Sequence, residues 1–447
     1  MGNEKLFRDE PVWKAICKLA VPAVFTILIM VLYNMADMFF IGMLGNDTAV
    51  ASISVVGPVF SLATAVSTTL GAGGCAVLAN ALGAGDQKKA QAAGSMCVWA
   101  SLLFGAVFAV VSISAAVPLL RLLGATEDMM PDASAYLRTL AAGAPLMLFS
   151  QSIASTIRGE GIIIRPMVNN IAGTVTNLIL DPLFILVLRT GVTGAAMATV
   201  LGNLVACSLH VRTIRTKAKA IRFDFRPALR QMRLLPQILF LGLPNGLSSI
   251  LAGLTSTFSN QLLGAYGTGA IAAMAAAGRS SMVISMVQMG VCLGVAPMLA
   301  YNYGARNIHR LKEVLVKTGI LTVSFGLIAT VGCFAGRDFL VGLFLKDAEN
   351  TRMAKSFLVW LLLASPLYGL HSLSSNFLQA AGNAFLATVI SVLRQGALLI
   401  PALFLFHAVV GLAGIGIAHF ASDILAVTIG VVILLRQVRR LEQRENG

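Results

Sequence analysis

Long apolar runs with few charges restrict the fold of this chain of 447 residues more than any other feature of its sequence. A helix needs about 20 mostly apolar residues to cross the hydrocarbon core of a bilayer. Twelve stretches meet this requirement, with approximate limits of 14–42, 52–82, 92–119, 134–157, 163–189, 191–211, 236–264, 270–301, 313–335, 354–380, 384–407 and 411–435. Because helices satisfy their own backbone polar groups in lipid, we predict an all-α integral membrane protein with twelve transmembrane helices.

The distribution of basic residues predicts the orientation of these spans. Charged residues make up only 12% of the chain, against roughly 25% in a typical soluble domain. With the N-terminus placed in the cytoplasm, 24 of the 33 Lys and Arg residues fall on that side. The positive-inside rule therefore predicts that both termini are cytoplasmic. The excess of basic residues then faces membrane lipids, and we expect no nucleic-acid partner.

The chain divides into two halves of six spans that resemble one another. Glycines and prolines recur at a nearly constant offset, as in Pro22/Pro244, Gly42/Gly264, Gly83/Gly304, Gly161/Gly382 and Gly194/Gly414. We predict an N-terminal six-helix lobe at 1–210, a basic cytoplasmic linker at 211–235 and a C-terminal six-helix lobe at 236–447. Since six is even, the two repeats run parallel, as in transporters that rock two bundles around a central cavity.

Only three acidic residues lie well inside the predicted spans, namely Asp37, Asp181 and Asp423. A carboxylate at that depth costs roughly 2.5–3.5 kcal/mol on insertion scales, which makes each of them a functional candidate. Asp37 is also close enough to the end of its span for its side chain to reach the headgroups. On this stretch alone, the two interpretations are equally good.

Four polar residues of the first half share one depth. Asp37 precedes Gly45, and Asp181 precedes Arg189, by the same distance along the chain, and Thr199 follows Gly191 by that distance. Gly45, Arg189 and Gly191 each mark the external end of a span. At about 1.5 Å of rise per residue, Asp37, Asp181 and Thr199 therefore lie roughly 12 Å below the outer surface. Asn177 shares a helix face with Asp181, one turn later. Hard oxygens of this kind suit H⁺ or Na⁺, although four unrelated polar groups would give the same pattern.

The second half lacks these acids. At the same offset its residues are Ser259 for Asp37, Leu398 for Asn177, Ala402 for Asp181 and His419 for Thr199. The sequence therefore predicts that the cation site is confined to the first half.

Other intramembrane residues have two interpretations each. Arg394 and Asp423 lie near the middle of their spans and are interpreted as a structural ion pair, with coupling or substrate binding as the alternative. Pro22 shares a span with Asp37 and is either a static kink or a moving hinge. Candidate residues of a substrate cavity are Tyr33, Asn34, Met30, Gln151, Asn170 and Thr174.

Several short motifs resemble the multidrug and toxic compound extrusion (MATE) transporters. They are Asp37–Gly42, Arg158–Gly161 followed by Pro166 and Met167, Asn177–Pro182, Gly194–Thr199 and Tyr301–Ala305. In this order and at these spacings, they cover nearly the whole chain. Within that family the chain resembles the DinF-type branch, whose cation site occupies the positions of Asp37, Asn177, Asp181 and Thr199.

The resemblance implies a function as well as a fold. It implies twelve helices in two lobes and the export of amphipathic, often cationic drugs or toxins against H⁺ or Na⁺. In the same branch Tyr33 and Asn34 match the cavity wall, and Pro22 matches the centre of a bending first helix. We expect a monomer in the cell (inner) membrane of a prokaryote, with no cofactor apart from the coupling ion.

Two alternatives belong to other functional classes. A lipid-linked oligosaccharide or polysaccharide flippase of the same superfamily often has fourteen helices and a more cationic cavity. An intramembrane protease would use Asp37 and Asp181 as a dyad, but the sequence has no further catalytic motif. We therefore expect that the chain is not an enzyme. It also lacks a nucleotide-binding motif, which favours an ion gradient as the energy source.

Overall fold

The structure, a computed structural model, describes the backbone of residues 4–42, 47–188, 190–342, 345 and 347–446. It describes the side chains of these residues except 4, 31–42, 47–51, 186 and 444–446. Helices dominate the described residues, which contain no strand.

Among the described residues, the first half contains ten helices. They are α1 (Glu4–Arg8), α2 (Val12–Gly42), α3 (Asp47–Gly83), α4 (Gln87–Ser114), α5 (Ala116–Leu122), α6 (Met130–Ala142), α7 (Ala144–Gly159), α8 (Ile164–Pro182), α9 (Gly191–Lys217) and α10 (Arg226–Arg230). A π-helical segment, Leu183–Val187, continues α8.

The described part of the second half contains nine helices. They are α11 (Leu234–Gly264), α12 (Thr268–Gly304), α13 (Ile308–Ala335), α14 (Arg337–Gly342), α15 (Ala348–Ala364), α16 (Tyr368–Ala380), α17 (Ala384–Val392), α18 (Leu399–Val410) and α19 (Leu412–Asn446). A 3₁₀ turn, Ser365–Leu367, joins α15 to α16, and a π-helical segment, Leu393–Ala397, joins α17 to α18.

Most of these helices are long and apolar enough to cross a membrane. Among the described residues, ten helical segments meet this requirement, and the pair α6–α7, bent by 52°, adds an eleventh. The predicted fifth span corresponds to α8 with its π-helical continuation. This helix carries a row of polar residues and is not among the segments that meet the requirement. Twelve transmembrane helices are consistent with these observations.

The helix lengths show that the two halves repeat one structure. α2 and α11 each contain 31 residues, α3 and α12 each contain 37, and α4 and α13 each contain 28. The turns repeat as well. Gly85 precedes α4 with a φ of +75°, and Arg306, at the corresponding position of the second half, adopts a φ of +55° before α13. Arg306 is the one non-glycine with positive φ among the residues that the structure describes.

The same N-terminal cap begins both α4 and α13. The side chain of Asp86 accepts a hydrogen bond from the Lys89 N–H at 2.9 Å, and that of Asn307 accepts one from the Arg310 N–H at 3.1 Å. Such caps satisfy a backbone donor that has no partner inside the helix.

The chain forms two compact units. The N-terminal unit contains Phe25–Gly246 and the stretch ending at Leu6, and the C-terminal unit contains Phe7–Val24 and Leu247–Gly447. The first part of α2 therefore belongs to the C-terminal unit, and α11 up to Gly246 belongs to the N-terminal unit. These limits differ from the predicted lobes at 1–210 and 236–447. Pro22 and Pro244 each lie just before the change of unit.

The basic linker at 211–235 lies wholly within the N-terminal unit. The buried carboxylate of Glu160, directly after α7, accepts hydrogen bonds from the backbone N–H groups of Lys219 and Ala220. The indole N–H of Trp99 donates to the Phe223 carbonyl at 3.2 Å. Burial raises the pKa of the Glu160 carboxyl, and the hydrogen bonds from the linker oppose this change.

Small apolar residues allow close packing inside the C-terminal unit. Ala270, Ala273 and Ala277 recur along one face of α12 and are fully buried. They belong to one cluster with Phe357 of α15 and Leu403 of α18. Small side chains at helix contacts let backbones approach closely, as is common in membrane helices.

Candidate cation site

A row of polar side chains follows one face of α8. Asn170, Thr174, Asn177 and Asp181 recur at helical spacing, which places them on the same side of the helix. Asn177 and Asp181 are buried, and Asp181 has no exposed surface. Burying polar residues of this kind in a membrane helix costs free energy unless they pair with other groups or bind a ligand.

A hydrogen bond between side chains joins this face to α9. The amide nitrogen of Asn177 donates to the hydroxyl oxygen of Thr199 at 3.1 Å, and that hydroxyl donates to the Ala195 carbonyl at 3.0 Å. Asn203, one turn later, donates to the Thr199 carbonyl at 2.9 Å. The structure thus brings together Asn177 and Thr199, which the sequence placed at the same depth.

Two glycines allow α8 and α9 to approach closely enough for this contact. A Cβ atom added at Gly173 would lie 2.6 Å from the Gly202 carbonyl oxygen. One added at Gly202 would lie 2.6 Å from the Gly173 carbonyl oxygen and 2.9 Å from the Asn177 Cβ. Any side chain at either position would push the helices apart.

The oxygen of the Asn177 side chain is suited to a cation. It is buried and has no hydrogen-bond partner among the residues that the structure describes. Asp181 supplies a carboxylate one turn later, and the Thr199 hydroxyl adds a third oxygen. This set of hard oxygens fits H⁺ or Na⁺. The described parts of the chain contain no group of three or more His, Cys, Asp and Glu side chains that could hold a metal ion.

Several of the other predicted residues are exposed, or their side chains lie outside the described residues. The side chains of Asp37, Tyr33 and Asn34 lie outside them, so the proximity of Asp37 to Asp181 stays a prediction. Met30 is 55% exposed. Gln151 is exposed, and its side-chain oxygen accepts a hydrogen bond from the Ser67 hydroxyl at 3.3 Å.

A second polar network, which sequence reasoning missed, lies further along α8 and α9. His210 is fully buried, and its two ring nitrogens contact the Asn169 amide nitrogen at 3.1 Å and the Asn170 amide oxygen at 3.0 Å. Asn169 also donates to the Thr213 hydroxyl at 3.0 Å. Asn170, predicted to line a cavity, is therefore engaged with His210. A single histidine in an apolar helix gives no signal by spacing, and the adjacent pair Asn169–Asn170 becomes its neighbour only through the packing of α8 on α9.

The C-terminal unit contains the predicted ion pair. The Arg394 guanidinium donates from Nε to the Asp423 carboxylate at 2.8 Å, and both side chains are mostly buried, at 18% and 23% exposed. The guanidinium also lies over the Tyr368 ring, 4.5 Å from its centre. These contacts join α16, α19 and the π-helical segment Leu393–Ala397, as expected of a structural pair.

Comparison with known proteins identifies the family. The MatE family model matches residues 22–183 and again 244–405, which is more than half of the chain. The chain belongs to the MatE family. The two matches begin at Pro22 and Pro244, a pair of the internal repeat, so that repeat is also a repeat of the family unit.

Individual relatives agree with this assignment. Multidrug export protein MepA of Staphylococcus saprophyticus is 30% identical over 417 residues, covering 93% of this chain and 92% of the relative. MepA of Staphylococcus aureus is 29% identical over 418 residues with the same coverage. A crystal structure of a MATE in the bent conformation superposes with a TM-score of 0.92 at 23% identity, over 100% of both chains.

The comparisons settle three of the predictions. Membership of the MATE family and the all-α membrane fold with two repeated halves are confirmed. The prediction that the chain is not an enzyme is also confirmed, because its relatives are transport proteins. The assignment to the DinF-type branch stays a prediction.

Proposed function

We propose that this protein is a multidrug efflux antiporter that exports amphipathic, often cationic compounds in exchange for H⁺ or Na⁺. The observation that carries the proposal is the buried polar group on α8 and α9, where Asn177 donates to Thr199 and the buried Asp181 follows one helical turn after Asn177. Relatives that match over 93% of the chain are named multidrug export proteins, which supports small-molecule drugs or toxins as substrates. They give no support to a flippase.

The coupling cation binds in the N-terminal unit. Asp181 and Asp37 supply negative charge, and Asn177 and Thr199 complete the oxygen shell. Binding of H⁺ or Na⁺ neutralises negative charge at these carboxylates and so stabilises one conformation of α8 and α9 over another. Cation entry from outside then resets the unit and releases the substrate, which is alternating access. Tyr33, Asn34, Met30 and Thr174 are the proposed wall of the substrate cavity.

Pro22 is the proposed hinge of α2. It lies inside a helix of 31 residues, just before the helix passes from one compact unit to the other. A proline removes one backbone hydrogen bond, so bending at this point is less costly than elsewhere.

The proposed setting is the inner membrane of a bacterium, with both termini in the cytoplasm and the chain acting as a monomer. The basic residues concentrate on the predicted cytoplasmic side, where anionic lipid favours them.

Transport by purified protein tests the proposal. The protein is reconstituted in liposomes loaded with a fluorescent cationic dye, and a pH gradient and a Na⁺ gradient are imposed separately. We expect dye movement that depends on at least one of the two gradients and that is lost in Asp37→Asn. Movement that ignores both gradients, or that is unchanged in Asp37→Asn, contradicts the proposal.

A further inference from the structure

A cavity of about 360 Å³ lies in the C-terminal unit, and none of its lining residues belongs to the candidate cation site. It is bordered by the end of α12, the turn after α16 and the last part of α19. Its lining includes Tyr303, Ala381, Asn383, Gln437 and Arg440. None of the described residues that line it is acidic. The orientation predicted from the basic residues puts this end of the unit in the cytoplasm.

The internal repeat shows why the C-terminal unit has this cavity. By the pairing that matches Gly161 with Gly382, Ala381 corresponds to Glu160, whose carboxylate binds backbone N–H groups of the linker. α9 ends at Lys217, and the chain then folds over the Glu160 turn. α19 instead continues past the corresponding residue, Gln437, as far as Asn446. The second copy therefore lacks both the carboxylate and the segment that it binds.

The polar groups that remain are mainly hydrogen-bond donors. Arg440 carries a permanent positive charge, and Tyr303 offers a hydroxyl. The Asn383 side-chain oxygen accepts a hydrogen bond from the Leu386 N–H at 3.2 Å, so its amide NH₂ is the group left for a ligand. Gln437 adds a second amide. A partner for this set must supply several acceptor oxygens and negative charge.

We propose that this cavity binds a phosphate group carried by a small cytoplasmic molecule or by an anionic lipid headgroup. Arginine and amide donors match the oxygens of phosphate. The volume is within the roughly 300–1,000 Å³ of small-molecule sites, so the ligand extends beyond the phosphate itself. This inference does not rest on the proposed transport function.

Binding of glycerol 3-phosphate to the purified full-length chain in an uncharged maltoside detergent tests the proposal by calorimetry. We expect saturable binding of one molecule per chain. Arg440→Gln should weaken it about tenfold or more, since a charged hydrogen bond is worth about 1.5–3 kcal/mol and 1.4 kcal/mol is tenfold. Ala381→Glu, which restores the acid of the first repeat, should abolish binding by repelling the phosphate.

Arg439→Gln is the matched control. Arg439 is exposed and adjacent on α19, and it is not among the residues that line the cavity. Nanodiscs then identify the source of the phosphate. If glycerol 3-phosphate binds in phosphatidylcholine discs but not in phosphatidylglycerol discs, the anionic lipid headgroup occupies the cavity. Equal binding of glycerol 3-phosphate in both kinds of disc indicates a soluble ligand. No saturable binding in detergent, or an equal loss in Arg439→Gln and Arg440→Gln, overturns the proposal.

Discussion

One hydroxyl group links α8 to α9 at the candidate cation site. Thr199→Val keeps the shape of the side chain but removes the acceptor of the Asn177 N–H. We expect the cation concentration for half-maximal efflux to rise about tenfold, because an unsatisfied buried donor costs about 1–3 kcal/mol and 1.4 kcal/mol is tenfold. Efflux from proteoliposomes at a series of external pH or Na⁺ values measures this change.

Two control variants isolate the role of that hydroxyl. Thr199→Ser retains it and should behave like the unmodified protein. Thr176→Val removes a hydroxyl that donates to the Ala172 carbonyl of its own helix, at 2.8 Å, and should leave the cation dependence unchanged. An unaltered cation dependence in Thr199→Val would contradict the site.

Glu160 should make stability depend on pH. Burial raises the pKa of its carboxyl above the ordinary value of 4.5, so the folded protein binds a proton more readily than the unfolded chain. Stability conferred by the neutral form is therefore lost as the pH rises from about 4.5 through the folded pKa. In thermal unfolding between pH 4.5 and 7, the unmodified protein should gain stability over Glu160→Gln as the pH falls.

A difference between the two proteins that stays constant over this range would show that Glu160 does not titrate there. Glu160→Ala tests a second role of Glu160, which is to hold the linker by hydrogen bonds, separately from its charge. It removes the acceptor of the Lys219 and Ala220 N–H groups, so trypsin should cut the linker faster than in Glu160→Gln.

Sequence reasoning located part of the site at the level of residues. Depth and helix periodicity brought Asn177, Asp181 and Thr199 to one level, and the structure places the first and third within hydrogen-bond distance. His210 escaped because one histidine in an apolar helix has no partner that spacing alone reveals. Its partners lie on the preceding helix and become neighbours only when α8 packs on α9.

At the level of helices, the contact between α8 and α9 depends on the absence of side chains at Gly173 and Gly202. Gly202→Ala would place a Cβ 2.6 Å from the Gly173 carbonyl oxygen and 2.9 Å from the Asn177 Cβ. We expect a loss of about 1–3 kcal/mol in stability from overpacking, together with weaker cation dependence as Asn177 moves from Thr199. Thermal unfolding and efflux assays measure the two effects.

Gly57→Ala is the control for this variant. Gly57 lies inside α3 of the same unit, and an added Cβ there would meet no atom within 4 Å. It should unfold at the same temperature as the unmodified protein or slightly above. If both alanine variants behave alike, close approach of α8 and α9 is not required.

The helices themselves were largely predictable. Apolar runs indicated their number, and the constant glycine offset indicated the repeat, which the equal lengths of α3 and α12 confirm. The ends of the helices were less predictable. α9 stops at Lys217 and α19 continues to Asn446, and both ends lie in polar sequence, where hydropathy gives no helix limit. That difference at Lys217 and Gln437 is what leaves the cavity in the C-terminal unit.

At the scale of the whole molecule, Pro22 is expected to control the rate of the conformational change. Pro22→Ala restores a backbone hydrogen-bond donor inside α2 and stiffens it. We expect slower gradient-driven efflux with unchanged dye binding. Pro58→Ala, inside α3 and within the N-terminal unit, is the control. Equal efflux in both variants would show that Pro22 is a static kink.

The division of the chain into units was not predictable from hydropathy. An apolar helix gives the same pattern whichever unit it packs against, so the sequence placed the boundary at the basic linker. The structure instead assigns the first parts of α2 and α11 to the opposite units, with Pro22 and Pro244 near each change. The repeat showed that Pro22 and Pro244 correspond. That they lie near the change of unit depends on contacts between residues far apart in the sequence.

The central claim is that transport is coupled to a cation bound at Asp181. Dye efflux from proteoliposomes under the gradient that drives the unmodified protein tests it, with Asp181→Asn compared with Asp338→Asn, an exposed acid outside the spans. We predict that Asp181→Asn still binds dye but moves it no faster than protein-free liposomes, while Asp338→Asn is fully active. Gradient-driven efflux by Asp181→Asn at the unmodified rate would contradict the account.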